Sequence, residues 1–159
     1  MSTPAVTIVR NKLGGGKAVE VARIYRHWDG DPAGHGADIA AALVAASNTP
    51  ARTWLSFSGE ERSCSVLNNR NWGQHFLRYL LIAKDADLEV VHQGFKGYAE
   101  WTYVVEGMYD DFGGKVDITA DDYLARVEVA AYYDMDFAKP EFKGGAADFS
   151  RWIEAQRGC

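Results

Sequence analysis

The sequence has little cysteine and little proline, and it has no long apolar run. Cysteine occurs twice, at Cys64 and Cys159, and never as Cys-x-x-Cys. That excludes a disulfide framework and a paired-thiolate zinc site, and it points to free thiols in a reducing compartment. No stretch approaches the roughly 20 apolar residues of a membrane span. The opening Met-Ser-Thr-Pro-Ala has no basic region, so no secretory leader is expected. The expectation is a cytoplasmic protein with no membrane partner. Catalytic signatures are missing as well. There is no Gly-x-Ser-x-Gly elbow, no Gly-Lys-Ser/Thr phosphate loop and no Gly-x-Gly-x-x-Gly fingerprint.

Positive charge is also scarce. Lys and Arg number 17 against 22 Asp and Glu, a net charge of −5. Ten of the acids lie between Glu100 and Asp136, where only Lys115 and Arg126 oppose them, so that segment carries −8. Phosphate contact needs Lys and Arg, so nucleic-acid binding through this half is not expected. Asp110, Asp111, Asp121 and Asp122 are the candidate acidic face for a basic protein partner. A solvated acidic surface is the plainer alternative.

What is present is an ordinary globular composition, 47% hydrophobic, with an aromatic share of 13% that includes five Trp and eight Tyr. A chain of 159 residues fits a single domain over 1–159 with a real core. Alternation predicts a strand over 5–10, a glycine turn over 11–16, and a returning strand over 17–28. That second strand changes phase, so a bulge is expected near Ala22 and Arg23. A small-residue helix is expected over 34–47, stopped by Asn48-Thr49-Pro50. Residues 51–71 read as a long loop with an apolar stretch at Trp54 to Phe57. A buried helix follows over 72–84.

Strands over 87–92 and 98–106 are close enough in sequence to pair as a hairpin. Thr119 and Asp122 resemble a capping box. Residues 125–133 alternate, with Val127, Val129 and Ala131 inward. Lys139-Pro140 and Gly144-Gly145 close that region, and Asp148 caps a last helix carrying Phe149, Trp152 and Ile153. The fold class is α+β: a mainly antiparallel sheet of about five strands with about three helices packed on it.

One stretch stands apart. Tyr25-Arg26-His27-Trp28-Asp29-Gly30-Asp31-Pro32-Ala33-Gly34-His35-Gly36 mixes titratable groups and turn formers more densely than any other. The binding candidates are His27, Trp28, Asp29, Asp31, His35, Gly34 and Gly36. Imidazole and carboxylate suit a metal or acid–base pair, and Gly34 and Gly36 at a helix entry suit an anion. The spacing matches no metal motif, so neither a metal nor another cofactor is assigned. The stretch is read first as a structural joint. Trp28 anchors the strand end to the core, Asp29-Gly30 reverses the chain, and Asp31 starts the helix. Gly30 and Gly36 provide backbone freedom, and each histidine change costs about 1 kcal/mol.

Two weaker patterns are present. Cys64 lies near Arg62, but nothing in the sequence ties it to His75 or His92, so no Cys/His pair is assigned. Asp110 to Gly114 and Asp134-Met135-Asp136 lack the order of a calcium loop.

The same dodecamer resembles small uncharacterised proteins of phages and prophages, whose recurrent pattern is Tyr-Arg-His-Trp-Asp-Gly-Tyr-Pro-x-Gly-His-Gly before a helix. Asp31 stands where Tyr is usual. The segment Ala99-Glu100-Trp101-Thr102-Tyr103-Val104-Val105 is similar to a second shared block. The two together cover 19 of the 159 residues, about an eighth of the chain. The resemblance implies a phage or prophage context rather than a mechanism, and the expected function is a small binding protein acting by protein–protein or small-ligand contact, with a host or phage protein as partner and anti-defence inhibition as one version. Catalysis is not expected. The alternatives are a metal-dependent enzyme or ligand binder using the His27–His35 loop, and a structural or virion-associated module with no site.

Overall fold

The computed structural model describes residues 3–13, 16–48, 52–55, 57–64, 72–83, 87–95, 97–108 and 119–158. Its elements begin with strands β1 (Ala5–Lys12) and β2 (Ala18–Arg26). A π-helical turn (Pro32–Gly36) leads into helix α1 (Ala37–Ser47), followed by β3 (Arg52–Leu55), β4 (Glu61–Cys64) and α2 (Trp72–Ala83). The second half holds β5 (Leu88–Val91), β6 (Trp101–Met108), α3 (Ala120–Ala125), β7 (Val127–Tyr133), β8 (Phe142–Gly145) and α4 (Ala146–Arg157).

Six strands make one mixed sheet in the order β5-β2-β1-β6-β7-β8, and β3 and β4 pair separately. The α+β class is therefore observed. The described residues give six strands in the main sheet rather than about five, and four α-helices rather than about three.

The sheet is built around β1. Ala5 to Val9 are all buried, because Ala5 and Val9 face the helices while Val6 and Ile8 face the other side. A strand apolar on both faces belongs in the centre of a sheet. Its second neighbour is β6, which runs parallel to it from Ala5↔Trp101 to Lys12↔Met108. This overturns the expected hairpin of the two strands around residues 87–106. β5 pairs with β2 instead, and residues 92–100 connect it to β6 on the far side of β1. The crossover is pinned by Arg23 donating to the Phe95 carbonyl at 3.1 Å and Gln93 donating to the Glu20 carbonyl at 3.0 Å. Strand propensity was legible there. The pairing partner was not, because β1 offers a doubly buried edge that no short hairpin could supply.

The bulge falls one residue earlier than expected. Val9 pairs with Ala22 and Arg10 with Glu20, so Val21 is the extra residue. This resets the phase, and Ala22, Ile24 and Arg26 all face the helices. The main core joins these positions to Tyr103, Val105, Val127, Val129 and Ala131 of the sheet. Leu43 of α1, Phe76 and Leu80 of α2, Tyr123 of α3, and Phe149 and Ile153 of α4 close over them. A smaller cluster of Val6, Ile8, Ala99, Val104 and Ala130 lies on the opposite face under Tyr25, Phe95 and Tyr132.

Two further boundaries moved. Residues 142–145, expected to close a region, form the edge strand β8, held by β7 and by Phe142 against Phe149 at 5.4 Å. Gly145 occupies the N-cap of α4, which places Asp148 in the first turn. The Thr119 capping box is present: Asp122 N donates to Thr119 Oγ1 at 3.1 Å, and Thr119 N donates to Asp122 Oδ2 at 3.0 Å. Among the described residues no helix is long and apolar enough to cross a membrane.

Candidate functional site

The joint between β2 and α1 is built around Arg26. Its side chain is 2% exposed because Arg26 stands on the same face of β2 as Ile24. A buried guanidinium needs its donors satisfied. Nε donates to the Trp28 carbonyl at 2.6 Å, and one terminal nitrogen serves Asp38 Oδ2 at 2.5 Å and His35 Nδ1 at 3.2 Å. A guanidinium only donates, so His35 Nδ1 accepts. The ring hydrogen therefore sits on Nε2 and is donated to Thr7 Oγ1 at 2.7 Å. His35 is fully buried, and burial first and the Arg26 charge second lower its pKa to about 3. It is a neutral structural imidazole. Tyr103, in edge contact with that ring, donates to the Gly30 carbonyl at 3.0 Å. Burial, followed by the nearby Asp31 charge, raises its phenol pKa well above the usual value.

The turn itself is tied down by its own backbone. Asp31 Oδ1 accepts from Gly34 N at 2.9 Å, His35 N donates to the Asp29 carbonyl at 2.8 Å, and Gly36 N donates to the Asp31 carbonyl at 3.2 Å. These bonds correct the anion reading: the N–H groups of Gly34 and Gly36 are already used. Asp31 is the residue that caps the turn.

The glycines serve close approach rather than backbone freedom. A Cβ on Gly30 would stand 2.5 Å from the Thr3 carbonyl, and one on Gly36 would stand 2.6 Å from Ile153 Cδ1. The left-handed residue is Asp29, at φ 51°.

The candidates separate into two sets. Asp31, Gly34, His35 and Gly36 belong to the buried joint. His27, Trp28 and Asp29 are exposed. His27 lies on the opposite face of β2 from His35, with its ring 4.8 Å from Tyr25 and its Nε2 3.6 Å from Glu89. The loop therefore does not assemble the two histidines into one site. Among the described residues no group of three or more His, Cys, Asp or Glu is placed to hold a metal. The Trp28 anchor is also corrected. Its ring is 57% exposed, because Arg26 already fills the core-facing position at the strand end.

Sequence reasoning missed Arg26, Thr7, Asp38 and Tyr103. An arginine in phase with the apolar Ala22 and Ile24 was the available signal for Arg26.

That same end of the sheet carries a second feature. Beyond the strand ends the ladder continues: Gly30 N donates to the Thr3 carbonyl at 2.6 Å, Glu100 N to the Pro4 carbonyl at 2.9 Å and Asp134 N to the Glu100 carbonyl at 2.7 Å. Four segments are thereby aligned side by side. They present Trp28, Tyr98, Tyr133, Met135 and Phe137 to solvent. Tyr98 is 60% exposed, and the Tyr25 hydroxyl donates to its carbonyl at 3.4 Å. Partial desolvation first, and then the charges of Asp134 and Glu100, raise the Tyr98 pKa. Asp134 and Met135 adopt left-handed backbone at φ 51° and 57°, as Asp29 does. Such conformations are costly for non-glycine residues.

The linear acidic segment is dispersed by the fold. Asp121 is exposed on α3, Asp122 is held in the capping box, and Asp110 and Asp111 lie outside the described residues. Glu106 and Glu128 share Lys12 at 3.9 Å near the other end of β1. Glu100, Asp134 and Asp136 gather at the aromatic end. Cys159 lies outside the described residues, and so does Asp110 to Gly114. No family model matches the chain, and comparison with curated proteins and with solved structures finds no match.

Proposed function

We propose that the protein works by contact with another protein rather than by catalysis. The carrying observation is the exposed set of Trp28, Tyr98, Tyr133 and Phe137 at one end of the sheet. Large aromatics left in water together mark contact surfaces, where they contribute most of the binding energy. The titratable groups that could have formed a catalytic pair, His27 and His35, stand on opposite faces of β2. The phage-type resemblance of Tyr25 to Gly36 favours a host or phage protein as the partner. Inhibition of a host defence component is the more specific version of this proposal.

Affinity capture from a bacterial lysate with quantitative mass spectrometry tests it. The wild type should retain a stoichiometric protein that Trp28→Ala and Tyr98→Ala each lose at least tenfold, while Asp121→Lys retains it. A captured protein held equally by all four forms would move the contact elsewhere and defeat the proposal.

A further inference from the structure

We propose that the aromatic end of the sheet receives an arginine- or lysine-rich segment of its partner protein. This rests on the contact function proposed above and names the chemistry of the partner.

On the face away from the helices Tyr25, Phe95 and Tyr132 lie over one cluster of Val6, Ile8, Ala99, Val104 and Ala130, whereas Tyr133 stands on the helix face, 5.2 Å from Trp101. Tyr25 joins the His27 ring at 4.8 Å, the Phe95 ring at 5.0 Å and, through its hydroxyl, the Tyr98 carbonyl at 3.4 Å. Tyr98 is two residues from Glu100, whose carbonyl accepts from Asp134 N at 2.7 Å. Tyr132 extends the row to Phe137, ring to ring, at 5.2 Å. The exposed faces are π-systems, with Tyr98 60% and Phe137 52% exposed. A cation is attracted to such faces.

The charges between the rings agree in sign. Asp29, Asp134 and Asp136 are exposed, and Glu100 is half-buried. Among the described residues no lysine or arginine forms an ion pair with Asp29, Glu100, Asp134 or Asp136. Of the arginines nearby, Arg26 is buried and committed to Asp38 and His35, and Arg23 is held by Glu20 and the Phe95 carbonyl. A guanidinium or ammonium group can stack on Tyr98 and place its donors on Asp134 or Glu100. Aromatic faces without the acids would suit any apolar partner. With acids that no described lysine or arginine pairs, they suit a basic one.

Fluorescence anisotropy with a labelled arginine–glycine peptide tests this, with the citrulline–glycine peptide as the neutral isostere. The full-length protein should bind the arginine peptide, more weakly as sodium chloride rises, and should not bind the citrulline peptide. Tyr98→Ala and Asp134→Lys should each weaken binding tenfold or more, whereas Asp121→Lys should leave it unchanged. Equal binding of the two peptides, or no binding of the arginine peptide, overturns the inference. If that happens while Tyr98→Ala still loses the captured lysate protein, the contact function survives and only the basic partner falls. A homodimer that Tyr98→Ala dissociates, seen by light scattering, would assign the face to a second copy of the chain and also overturn the inference.

Discussion

At the scale of single residues, His35 shows how burial fixes a protonation state. Its folded pKa is depressed to about 3 from an ordinary 6.5, by burial and then by Arg26. Between those values the unfolded chain binds a proton that the native ring refuses. The stabilisation is therefore complete above about pH 6.5 and is lost as pH falls toward 3, by up to about 1.4 kcal/mol per pH step. The groups facing the ring are Arg26, Thr7 and Tyr103, and none of them can offset an imidazolium. Urea unfolding between pH 7 and pH 4 should show the wild type losing stability faster than His35→Gln. Parallel profiles for the two proteins would show that His35 does not titrate on unfolding.

At the scale of elements, the joint from β2 to α1 depends on a buried charge and a close contact, and the large side chain beside them contributes little. Arg26→Met leaves Asp38 and the His35 acceptor without their donor. Breaking one side of a buried ion pair costs about 3–5 kcal/mol. Gly30→Ala must push the Thr3 carbonyl aside and should cost about 2 kcal/mol or more. Trp28→Ala should stay within about 0.5 kcal/mol, as surface changes usually do, although a buried tryptophan would cost about 3–5 kcal/mol. Chemical denaturation of the three variants checks this ranking. A large loss for Trp28→Ala with a small one for Arg26→Met would reverse the account of the joint.

At the scale of the whole molecule, the fold redistributes the acid. The described acids of the run from Glu100 to Asp136 divide between α3, the Lys12 end of the sheet and the aromatic end. The described cations that gather on one surface, Arg10, Lys12 and Lys143, share it with Glu106 and Glu128, each 3.9 Å from Lys12. Duplex DNA at physiological salt should therefore show no submicromolar binding in a mobility-shift assay. A salt-sensitive submicromolar shift would contradict this.

The sequence by itself determined the elements whose signals are local. Alternation gave β1, β6 and β7, helical spacing gave α2, and Thr119 with Asp122 gave the start of α3. The phase change in β2 announced a bulge and placed it within a residue or two. Each of these depends on neighbours a few positions apart, and those the sequence states directly. The tertiary structure alone decided what depends on distant partners. Strand β6 chose β1 because β1 is apolar on both faces. Arg26 could be buried because Asp38 and His35 arrive from the next elements, and that left Trp28 outside. The aromatic end exists because Gly30, Thr3, Pro4, Glu100 and Asp134 hydrogen-bond in series across four chain segments. No window of sequence contains that series, since its members meet only when the sheet closes.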